Sequence, residues 1–67
     1  NAIIDIQNLE QQKTTLTLYD ISGKEILQMQ SNNNQYQING NALEKGIYLF
    51  KIKNDQEEIA NGKIVLQ

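Results

Sequence analysis

The stretch Thr14-Thr15-Leu16-Thr17-Leu18-Tyr19-Asp20-Ile21-Ser22-Gly23-Lys24-Glu25-Ile26-Leu27-Gln28-Met29-Gln30 decides the fold class. From Thr14 to Asp20 it alternates: Leu16 and Leu18 point one way, and Thr15, Thr17 and Tyr19 the other. A period of two is that of a half-buried strand, and the branched β-carbon of Thr suits a pleated surface. Asp20-Ile21-Ser22-Gly23 then supplies a turn. An Asp at the first position can cap its own backbone two residues on, and Gly23 reaches positive φ without steric penalty. Lys24 to Gln30 returns as a second arm carrying Ile26, Leu27 and Met29. The reading predicts a β-hairpin.

Outward from the hairpin the same texture repeats. Ala2 to Gln7 reads as a strand with Ile4 and Ile6 on one face, and Asn8 to Lys13 as a polar loop around Leu9. On the other side, Ser31 to Asn34 is a polar loop, and Gln35 to Asn39 a short strand with Tyr36 and Ile38 together. Asn41-Ala42-Leu43-Glu44-Lys45-Gly46 is expected to form one helical turn: Asn41 as N-cap, Glu44 closing a capping box, Gly46 as left-handed exit. Leu43 would plug the core. Ile47 to Lys53 is the most apolar strand and is expected to be central in its sheet. After a turn at Asn54-Asp55-Gln56, Glu57 to Gln67 reads as a last strand or two half-strands, with Gly62 marking a bulge or bend. Short strands spaced by polar turns predict an all-β, antiparallel β-sandwich.

Sixty-seven residues make one small domain, 1–67, with 39% apolar and 21% charged residues. Ten Ile and seven Leu supply most of a thin core. The absences exclude whole classes of chemistry. Without Cys there is neither a disulfide nor a thiolate metal site, and without His the commonest general base and transition-metal ligand is gone. A net charge of −2, with six Lys and no Arg, argues against nucleic-acid binding. No apolar run approaches the roughly 20 residues that span a bilayer, so direct membrane insertion is not expected. The chain opens on Asn1 with no signal peptide, and is expected to be a piece of a longer protein. Its eighteen Asn and Gln, including Asn32-Asn33-Asn34, read as an amide-coated surface rather than a polar zipper, because strands interrupt every run.

Three ordered segments are distinctive: Leu16 to Lys24, Leu43-Glu44-Lys45-Gly46-Ile47-Tyr48-Leu49-Phe50-Lys51-Ile52, and Gly62-Lys63-Ile64-Val65. Together they resemble the type A C-terminal sorting domain of the type IX secretion system (the Por secretion system), carried by exported proteins of the Bacteroidota. The resemblance covers about Ala2 to Leu66. It rests on a Tyr-Asp-x-x-Gly-Lys hairpin turn at Tyr19 to Lys24 and a Gly-x-Tyr strand start at Gly46 to Tyr48. It implies an immunoglobulin-like β-sandwich of about six to seven strands. It also implies a C-terminal secretion signal on a larger cargo that crosses the inner membrane by its own signal peptide. The outer-membrane translocon of a Gram-negative bacterium would recognise the tag and take the cargo to the cell surface. A sortase-like peptidase often removes such tags, and the cargo is released or joined to lipopolysaccharide. The resemblance departs in two places. The family often opens with an Asn-Pro turn, which in this Pro-free chain is expected to lie upstream, and Lys63 stands alone where family tails carry two or more basic residues.

The resemblance puts translocon recognition at Asp20, Gly23, Lys24, Gly46, Tyr48 and Lys63. Each also has a plain structural role. Gly23 serves backbone geometry, Lys24 projects at a hairpin tip, and Tyr48 reads as a core aromatic with its hydroxyl at the rim. Lys63 lies in the last strand, whose free edge could be extended by a partner strand. No enzymatic activity, cofactor or metal is expected. Ser22 near Lys24 lacks the setting of a Ser–Lys dyad, and Asp55, Glu57 and Glu58 read as a solvated acidic turn rather than a calcium site. The rival reading is a carbohydrate-binding or adhesion module, for which only Tyr19 and Tyr36 could offer stacking surfaces.

Overall fold

A computed structural model describes residues 2–5 and 12–67. Strand β1 covers Ala2–Asp5, β2 Thr14–Asp20, β3 Glu25–Ser31, β4 Gln35–Ile38, β5 Gly46–Lys53 and β6 Glu58–Leu66. The expected extension of the first strand through Ile6 and Gln7, and most of the 8–13 loop, lie outside the described residues. All pairings are antiparallel. One sheet has the order β3-β2-β5-β6 and the other pairs β1 with β4. The two antiparallel sheets, of four and two strands, make the all-β, six-strand fold that the sequence predicts. The most apolar strand, β5, is central, as its composition predicts.

The core forms where the two sheets face each other. Leu16 and Leu18 of β2, Tyr36 and Ile38 of β4, Tyr48 and Ile52 of β5, and Ile64 and Leu66 of β6 are all buried. Each fully buried Leu or Ile contributes about 1.5–3 kcal/mol, so these few residues carry most of the stability available to so short a chain. Alternation accounts for most of the pattern, and two bulges account for the exceptions. Leu18 pairs with Leu27 but Tyr19 with Glu25, so Ile26 is an extra residue on β3. Ile52 pairs with Ala60 but Lys53 with Glu58, so Ile59 is an extra residue on β6. A bulge re-aims a side chain, which lets the neighbours Ile26 and Leu27, and Ile59 and Ala60, all pack against the core. Both bulges lie on edge strands, where they also discourage sheet-to-sheet pairing.

Four expectations are corrected. Gly62 is not the bulge: it lies in regular pairing opposite Phe50, and a Cβ built on it would stand 2.8 Å from the Phe50 ring. Glycine is there to let the aromatic ring lie across the strand, as in aromatic rescue of edge glycines. The helical turn is a shorter 3₁₀ turn, Gly40–Ala42, capped by Asn39 rather than Asn41, and Leu43 is already extended, so Glu44 closes no capping box. Asn34 is buried, not part of an amide coat, and takes a positive φ of 59° that Asn tolerates better than most residues. Tyr36 is 1% exposed, its hydroxyl hydrogen-bonded to the Thr14 hydroxyl, and offers no stacking surface. Burial pushes its phenol above the usual value, opposed by the Thr14 hydrogen bond.

Candidate recognition site at one end of the large sheet

The β2–β3 loop is held by its own first residue. The Asp20 Oδ1 accepts hydrogen bonds from the Ser22 amide (2.9 Å), the Ser22 hydroxyl (2.7 Å) and the Lys24 amide (3.0 Å). The Gly23 amide donates to the Asp20 carbonyl and the Asp20 amide to the Lys24 carbonyl, each at 3.0 Å. With Gly23 at φ +92°, this is a three-residue hairpin loop whose last residue takes positive φ. The Ser22 hydroxyl first, then the Lys24 amide, hold the Asp20 carboxyl below its ordinary value against a small opposing cost of desolvation. Lys24 is exposed beside it.

The β4–β5 corner is anchored differently. Asn39 accepts from the Asn41 amide at 2.9 Å, the chain extends at Leu43, and Gly46 starts β5 at φ +150°. Leu43 packs against the core as the expected plug. Tyr48 is 8% exposed, and its hydroxyl donates to the Glu44 carbonyl at 2.7 Å. The bond ties the start of β5 to the backbone just upstream of it.

Pairing register brings the candidate residues together. Asp20 is the partner of Tyr48, which is the partner of Ile64. In the next row Tyr19 pairs with Leu49 and Leu49 with Lys63. Gly46 pairs with Leu66. Gly23 and Lys24 close the hairpin beside these rows, so all six candidates occupy one end of the four-stranded sheet. Their roles divide. Asp20, Gly23, Gly46 and Tyr48 build turns, whereas Lys24 and Lys63 are exposed and free to meet a partner.

The same end carries residues that the motifs do not include. Ile47, Leu49 and Val65 are 46%, 43% and 52% exposed on the side of the sheet away from the core, with Tyr19 half-buried among them. Ile47 and Leu49 alternate with the buried Tyr48 and half-buried Phe50, so β5 is apolar on both faces while only one face is covered. That two-faced apolarity was the available signal, and it points to burial until the small partner sheet is seen to cover one side only. Among the described residues no group of three or more His, Cys, Asp or Glu could hold a metal ion. The turn after β5 is organised by Asn54, whose side chain accepts from the amides of Gln56 and Glu57, each at 2.8 Å.

Among the described residues no helix is long and apolar enough to cross a membrane. A family model described as a secretion system C-terminal sorting domain matches residues 1–67. No curated protein and no solved structure matches the chain.

Proposed function

Because the chain belongs to the family of type IX secretion system C-terminal sorting domains, we propose that it is a folded address tag, without catalysis of its own, read by the outer-membrane translocon of a Gram-negative bacterium of the Bacteroidota. Membership itself means export to the cell surface or beyond, and a cargo region in the same protein. In our reading the cargo reaches the periplasm by its own signal peptide. The translocon then engages the tag, and a sortase-like peptidase removes it at the surface. Cleavage belongs to that peptidase. The observation that carries this reading is the family match over residues 1–67. The two exposed motif lysines, Lys24 and Lys63, lie at the same end of the sheet, which supports it, since a receptor needs one contiguous surface.

The test fuses residues 1–67 to a periplasmic fluorescent reporter in a host with a working type IX system. Surface accumulation, lost in a translocon-deficient strain, is the expected result. A reporter that stays periplasmic in the competent host overturns the proposal.

A further inference from the structure

The outer face of the four-stranded sheet has an uneven charge distribution. Strands β2, β3, β5 and β6 hold three lysines, Lys51, Lys53 and Lys63, all at register positions on that face. The same strands hold three carboxylates. Asp20 spends its carboxylate on its own loop, whereas Glu25, opposite Tyr19, and Glu58, opposite Lys53, share the outer face, and the Glu58 carboxylate accepts a hydrogen bond at 3.0 Å from the side-chain amide of Asn61, the partner of Lys51. Lys51 and Lys63 flank Leu49, and among the described residues no carboxylate lies within ion-pair distance of either. Lys51 places its ammonium 5.7 Å from the centre of the Tyr19 ring instead. Tyr19, Leu49, Lys51 and Asn61 line an open groove there, with Gly23, Phe50 and Gly62. A chain of net charge −2 thus presents a face with three lysines to two carboxylates, Lys51 and Lys63 standing beside an apolar centre of Ile47, Leu49 and Val65.

The geometry points to this face, rather than the motif turns, as the surface a receptor docks on: a folded protein with an apolar patch ringed by carboxylates. An apolar centre with a charged rim is the anatomy of a protein–protein interface, and Lys, a strongly hydrated point charge, suits the rim. A second copy of the domain is disfavoured because two positive faces would meet. An anionic membrane is disfavoured because carboxylates outnumber lysines by eight to six and two of them, Glu25 and Glu58, share this face. This inference rests on the sorting reading above and adds the place and chemistry of recognition.

The experiment uses the reporter fusion with three pairs of substitutions: K51E/K63E, K51Q/K63Q and L49T/V65T. All lie at exposed positions, and thermal melting of each isolated domain should match wild type within a few degrees. Charge reversal is expected to cut surface reporter roughly tenfold, neutralisation by about threefold, and the Thr pair roughly tenfold. With melting temperatures unchanged, the order Glu worse than Gln reports charge at the docking face rather than damage to the fold. A wild-type fusion that stays periplasmic overturns the sorting reading and the docking face with it. Wild-type export with equal export of all three variants overturns the docking face alone. So does dimerisation of the purified domain that L49T/V65T abolishes, or co-sedimentation with phosphatidylethanolamine–phosphatidylglycerol vesicles that K51E/K63E abolishes.

Discussion

In the Asp20–Lys24 loop every hydrogen bond runs between residues at most four apart, and the carboxylate that organises it is exposed. In the Asn39–Gly46 corner the hydrogen bonds are equally local, the Tyr48 hydroxyl reaching the Glu44 carbonyl four residues back, yet the segment is placed by Leu43 and the Tyr48 ring packed in the core. The two regions hold motif glycines at positive φ and meet at the same end of the sheet. They teach that one motif element is a self-sufficient turn and the other is a piece of the core. Damage to the first should stay local. Damage to the second should spread.

Substitutions can break or sharpen this contrast. Tyr48→Ala should have the largest effect, about 3–5 kcal/mol in urea denaturation, because it empties a buried aromatic site and frees the corner. A chain of this size has only about 3–10 kcal/mol in all, so much of the protein should be unfolded. Gly46→Ala should cost about 1–3 kcal/mol: a Cβ meets nothing within 4 Å, so the cost is backbone strain alone. Tyr48→Phe keeps the ring and removes only the corner bond, and should cost about 1–2 kcal/mol. If it proves neutral, the corner is not anchored as described. Gly23→Ala, also free of clashes, should cost about 1 kcal/mol and leave core amide exchange protection unchanged.

The smallest effect is a pH dependence in the hairpin. The Asp20 carboxyl titrates below its ordinary value because the Ser22 hydroxyl and the Lys24 amide bind its charged form. The folded chain therefore holds fewer protons there than the unfolded one. Its stabilisation is complete above the unfolded carboxylate value of about 4 and is lost as pH falls through the folded value. Thermal melting should be flat between pH 7 and 5, fall below pH 4, and fall less in Asp20→Asn. An equal fall in that variant would show that the loop carboxylate is not the group responsible.

How much of the molecule could be read beforehand follows the same division. The hairpin, its capping Asp and its positive-φ glycine were legible because each depends on neighbours in the chain. So were the six strands, the central place of β5 and the Leu43 plug. The role of Gly62 was not legible, since only the pairing with Phe50 reveals the ring that needs the space. Nor was the burial of Tyr36, whose alternation with polar neighbours fits a strand face turned either way until the second sheet covers it. The Asn-rich loop looked uniformly exposed because composition carries no information about which amide turns inward at a positive φ.

Residues close in the chain therefore determined the elements, the turns and the family resemblance, since period, glycine geometry and side-chain caps act over a few bonds. Tertiary structure alone decided that the motif positions converge on one end of a sheet, that Gly62 faces the Phe50 ring, and that an apolar, lysine-flanked face stays uncovered. Those facts depend on strand register and on how far a two-stranded sheet reaches across a four-stranded one. Neither is set by contacts between neighbours in the chain.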